Sequence, residues 1–132
     1  MMLWNVTLTD EQLQTVMRAC EFYTRVRLGQ FSEISYETLR GQISSDDYCK
    51  RRECMDKLLM YARKQAFPEL DGFGHSYGVG YDKIADRSWM VYQVLRYAKA
   101  RKDHPEGGIN TNFDRPINYL NEPLPTCEVK QE

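Results

Sequence analysis

The stretch Asp71-Gly-Phe-Gly-His-Ser-Tyr-Gly-Val-Gly-Tyr81 holds the residue types best suited to chemistry in this chain. Gly72, Gly74, Gly78 and Gly80 let backbone amides come close to an anion. Phe73, His75, Tyr77 and Tyr81 are interleaved with them, and flat rings beside exposed amides are the ingredients of nucleotide binding. The loop lacks the Gly-Lys-Ser/Thr ending of a P-loop and does not follow a strand, so no named nucleotide motif applies. The plainer alternative is a connector whose aromatic rings plug the edge of the core.

Gly74-His-Ser-Tyr-Gly78 also matches G-x-S-x-G, the nucleophile-elbow pattern, in which a strand-turn-helix lifts a serine above a parallel sheet. A helix, Pro68 and a glycine loop precede it here, and Gly78 and Gly80 would break a helix that followed. His104 is the one base outside the motif, and the chain is too short for such a sheet. Catalysis by Ser76 or His75 is therefore a remote reading, and no enzymatic activity is expected. Gln93 and Arg96 complete the candidate ligand set of Phe73, His75, Tyr77 and Tyr81. Arg96 lies on a helix that is apolar over most of its surface, and a buried guanidinium needs a partner. That partner is either a structural carboxylate (Asp86, Glu106 or Asp114) or an anionic ligand. Two histidines and no His/Cys/carboxylate cluster at ligand spacing leave no metal site to propose, and no cofactor is expected.

The elements that must position these residues are helical. Thr9-Asp-Glu-Gln12 is a capping box, with Leu8 and Leu13 placed as a hydrophobic staple. Leu13, Val16, Met17, Cys20 and Thr24 form the inward stripe of the helix that follows, widened by Ala19, Phe22, Tyr23 and Val26. Gly29 is a left-handed stop. Ser35 is placed to cap a short turn running to Leu39. A second long helix begins at Ser44 or Ser45 and closes at Pro68. Its buried face is read as Tyr48, Met55, Leu58, Leu59, Ala62 and Ala66, with Lys50, Arg51, Arg52, Arg63 and Lys64 mostly outside. A last long helix runs from about Asp82 to Lys102, with Ile84, Val91, Tyr92, Leu95 and Ala98 as its main stripe and Asp82, Asp86, Gln93 and Arg96 as its narrow polar strip.

From His104 onward no helix is possible, yet Ile109, Phe113, Ile117, Tyr119, Leu120 and Leu124 are apolar, which disordered tails are short of. Residues 104–132 are read as an extended arm, favoured by Pro116, Pro123 and Pro125, that packs on its own domain or a neighbouring subunit. Such arms can exchange between subunits, so a homo-oligomer is expected. The fold class expected is all-α: one domain over 1–132, a compact bundle of three main helices plus a short helix, with an extended irregular C-terminal arm.

Composition bounds the partners. The chain has 132 residues, 42 % hydrophobic and 28 % charged, and a net charge of -1, too little surplus for a groove binder of duplex DNA. The cluster Arg96, Lys99, Arg101 and Lys102 is expected to match an arm holding five acids against two bases. No apolar run approaches the ~20 residues of a bilayer span, and the N-terminus has no basic n-region or apolar h-region. Cys20, Cys49, Cys54 and Cys127 show no paired spacing and are read as reduced thiols in a cytoplasm.

The order of motifs carries one resemblance. Leu28-Gly-Gln-Phe31, Tyr92-Gln-Val-Leu-Arg96-Tyr, His104-Pro-Glu-Gly-Gly108, Asn112-Phe-Asp-Arg-Pro116 and Glu122-Pro-Leu-Pro125 together resemble a group of small accessory proteins of tailed bacteriophages and prophages. The group brings no assigned activity or site residues. What it implies is a setting, the cytoplasm of an infected bacterium, where accessory proteins counter host defences. The function expected is a non-enzymatic counter-defence protein that sequesters a nucleotide-type small molecule. The alternative is a protein-interaction module that inhibits a host enzyme through Lys50 to Arg52 or the arm.

Overall fold

The computed structural model describes residues 1–72 and 74–131 and is all-α, with no strand among them. Four helices follow in order: α1 (Asp10–Arg27), α2 (Ser32–Leu39), α3 (Tyr48–Ala66) and α4 (Lys83–Asp103), with short 3-10 turns at Arg40–Gln42 and Thr111–Phe113. No helix is long and apolar enough to cross a membrane. No disulfide joins the four cysteines. The chain divides into two compact units, one made of Met1–Glu21 with Arg87–Glu132 and the other of Phe22–Asp86.

In the first unit, α1 opens on the capping box. The Thr9 amide donates to Gln12 Oε1 at 2.9 Å, and the Gln12 amide donates to Thr9 Oγ1 at 3.2 Å. The core here is Met17, Met90 and Val94, with Ser88 donating to the Cys20 carbonyl at 2.8 Å. Ala19 faces solvent, so the inward stripe of α1 is narrower than its apolar residues suggest. Past α4 the arm packs on its own chain: the Arg87 guanidinium forks onto Glu122 at 2.7 and 3.0 Å, and the Ile117 amide reaches Gln93 Oε1 at 3.3 Å. Asn110 and Asn118 fold back on the amides two residues ahead, each near 3 Å, and so fix the arm's bends. Among the described residues, no ion pair joins Arg96, Lys99, Arg101 or Lys102 to an acid of the arm. Lys102 instead reaches Asp10 in the first turn of α1 at 2.9 Å, where a carboxylate also suits the helix dipole.

The second unit turns on Gly29. The Gln30 amide reaches the Arg25 carbonyl at 2.9 Å and the Gly29 amide reaches Val26 at 3.1 Å, the paired bonds of a Schellman stop. Gly29 sits at φ +90, open to glycine at little cost. The chain then re-enters a helix at once, so α2 starts at Ser32. Ser35 is not its cap. It is fully buried inside α2, where its hydroxyl donates toward the Ser32 carbonyl and the Asp56 carboxylate of α3. The start of α3 also differs from expectation. Ser45 to Asp47 form turns, and the helix begins at Tyr48 without a side-chain cap from Asp47. Short polar side chains favour such turns over helix.

The inward face of α3 is the main departure. Leu58 is 70 % exposed and Ala62 and Ala66 lie in solvent, whereas Arg63, expected outside, is buried at 3 %. Arg52, Met55, Asp56, Leu59, Met60, Arg63 and Phe67 share the less exposed side, spaced three and four residues apart. In α4, Asp82 caps the helix by accepting from the Ile84 amide at 3.0 Å. Asp86 and Ala85 are buried, and Thr24 donates to the Ala85 carbonyl.

Candidate functional site

Within the 22–86 unit, three elements converge on a cleft of about 350 Å³. The Schellman corner supplies Gly29, Gln30, Phe31 and Ser32. Helix α3 supplies Asp56, Leu59, Met60 and Arg63, and the glycine loop supplies Gly74, His75 and Ser76. A space of that size lies in the range of small-molecule sites.

Arg63 organises the cleft. Its guanidinium donates to the carbonyls of Gly72 and His75 and lies 3.7 Å from Met60 Sδ, so it ties the glycine loop to α3. Its Nε is buried without a hydrogen-bond partner, and among the described residues no carboxylate lies within ion-pair distance of it. A buried cation compensated only by carbonyl dipoles is an unfavourable arrangement on its own. An anion nearby would lower that cost.

The opposite charge in the cleft is Asp56. One oxygen accepts from Ser35, and the other lies 3.9 Å from Arg52 Nε. Gln30 is held from both ends, its oxygen accepting from Arg25 at 2.9 Å and its amide donating to the Ser76 hydroxyl at 3.3 Å. The amide therefore orients Ser76 at the cleft edge.

The residues singled out from sequence fall in different places. His75 is exposed and lines the cleft. Tyr77 and Tyr81 stack on each other, ring centroids 3.5 Å apart and nearly parallel, so neither offers both faces to a base. The Tyr77 hydroxyl donates to Glu69, which raises its own pKa and lowers that of Glu69. The Tyr77 amide also reaches the Leu28 carbonyl at 2.9 Å, docking the loop on the end of α1. Phe73 lies outside the described residues. Through Phe67, ring contacts of 5.9 Å on either side join Tyr77 to Phe31, which borders the cleft with His75.

Gln93 and Arg96 belong to the other unit. Gln93 is 5 % exposed, with its oxygen on the Ile117 amide and its Nε2 without a partner. Arg96 lies over the rings of Tyr92 and Trp89, at 5.1 and 5.8 Å, and makes no ion pair among the described residues. Cation–π contact with two rings stands where Asp86, Glu106 or Asp114 was expected, and the Arg96 Nε, like that of Arg63, is buried without a hydrogen-bond partner among the described residues. Asp86, in the 22–86 unit, instead receives the Gly80 amide at 3.0 and 3.2 Å.

Sequence reasoning missed Arg63, Asp56 and Phe31. A signal for Arg63 was available: Met55, Leu59 and Phe67 bracket it at helical spacing, one turn before Pro68. Leu58, Ala62 and Ala66 drew the face the wrong way. The setting of Ser76 is also plain. No strand precedes it and α4 begins only at Lys83, so the strand-turn-helix of a nucleophile elbow is absent from the described residues. No group of three metal-ligating side chains occurs among them either. Comparison with protein-family models, curated proteins and solved structures finds no match to the chain.

Proposed function

We propose that the chain is a non-enzymatic binding protein whose 22–86 unit sequesters a nucleotide-type small anion in the Arg63 cleft. The observation that carries this reading is the buried Arg63 guanidinium, which borders the cleft and has, among the described residues, no partner for its Nε and no carboxylate at ion-pair distance. A phosphate supplies the missing negative charge, and arginine is the side chain suited to it. Phe31 and Leu59 provide the apolar wall for a base, and Asp56 accepts from its ring or exocyclic N–H groups. The ligand set moves accordingly, from the Tyr77–Tyr81 stack to the corner and α3, with His75 retained from the loop. The resemblance to tailed-phage accessory proteins makes counter-defence inside an infected bacterium the setting of this activity.

Titration calorimetry against mononucleotides and linear and cyclic dinucleotides tests the proposal. One class should bind with unit stoichiometry, and Arg63→Lys should weaken it about tenfold or more, because lysine keeps the charge but loses the planar fork. Absence of heat across the panel, in protein that is folded by circular dichroism, would remove the nucleotide reading.

A further inference from the structure

We infer that the solvent face of α3 docks an acidic amphipathic helix of a partner protein. Leu58 and Tyr61 are 70 % and 72 % exposed in the middle of an ordered helix, and Cys54 extends their stripe one turn toward the N-terminus. The spacing 54, 58, 61 keeps one side of a 3.6-residue helix, well apart from Arg63, which faces the cleft. Single exposed apolar residues are ordinary, but two large ones in register on one helix form the kind of ridge that a partner's groove covers.

Charge decides the occupant. The exposed charges bordering the stripe are Lys50, Arg51, Lys57 and Lys64, against the single acid Glu53, which is engaged by Lys57 at 3.0 Å. A second copy of α3 laid on this face would bring the same bases together, so self-pairing is opposed. A nucleic acid would answer the charge and leave Leu58 against phosphates. A helix with leucine and alanine on one face and glutamates along its edges answers both the apolar ridge and its basic border. The inference is independent of the cleft, since none of these residues lines it.

The test uses the full chain and a fluorescein-labelled synthetic helix of about 20 residues, apolar on one face and glutamate-edged. Its controls are a scrambled peptide, a lysine-edged version and a single-stranded RNA of similar charge. Anisotropy should rise with the glutamate-edged helix alone. Leu58→Ser and Tyr61→Ser should each weaken binding about tenfold or more. Because both side chains are exposed, thermal midpoints should stay within a degree or two of wild type. Equal binding of the scrambled peptide, preference for RNA, or no binding would each overturn the inference. So would sedimentation showing a wild-type dimer that Leu58→Ser dissociates, since a second copy would then own the face.

Discussion

Gly29→Ala is the perturbation whose size the structure fixes best. Gly29 holds φ +90 between the two bonds of the Schellman stop, and an alanine in left-handed backbone costs about 1–2 kcal/mol. Its Cβ would also stand 2.8 Å from Leu70 Cδ1, closer than side chains tolerate. The methyl is the end of a flexible side chain, so rotating it away adds up to ~1 kcal/mol. The sum is about 1–3 kcal/mol, a fall in thermal midpoint of roughly 4–12 °C for a chain of this length. Urea unfolding followed by circular dichroism reads it directly. The two contributions separate in a cycle with Leu70→Ala: the clash disappears and the backbone cost stays, leaving a coupling of up to ~1 kcal/mol. Unchanged stability in Gly29→Ala would refute the left-handed corner, and with it the placement of Phe31 and Ser32 at the cleft.

Three further outcomes follow from the contacts. Thr9→Ala removes one half of the capping box and should destabilise the protein by about 1 kcal/mol in the same urea assay. Asp82 has its pKa lowered by the hydrogen bond from Arg27, so its contribution is present above the ordinary aspartate value and is lost as pH falls below about 4; stability against pH should fall less steeply over that range in Asp82→Asn. Arg63→Met frees the carbonyls of Gly72 and His75, so amide exchange and proteolysis should rise across residues 71–80 while α1 and α4 keep wild-type protection.

Local signals were the most legible part of this chain. The capping box at Thr9 and Gln12 and the stop at Gly29 each depend on residues within a few positions, and each forms as its residue types dictate. What depended on tertiary partners was not legible. Ser35 looked like a cap because its hydroxyl suits one, but Asp56, 21 positions away, claims that hydroxyl. Arg63 looked solvated because arginine usually is, yet the loop carbonyls of Gly72 and His75 give it a reason to be buried. Tyr77 and Tyr81 looked free to stack on a ligand, and only the loop's path shows that they stack on each other. The candidate site was thus half visible. The glycine loop and His75 were found from sequence, while the corner and the α3 wall that complete the cleft were not.

The most direct test of the Arg63 cleft is native mass spectrometry of the full chain purified from bacterial lysate, then with added linear and cyclic nucleotides. One adduct per chain with a phosphate-bearing ligand is expected, lost in Arg63→Met and retained in Leu58→Ser. An adduct that persists in Arg63→Met, or none across the panel with folded protein, would contradict that expectation.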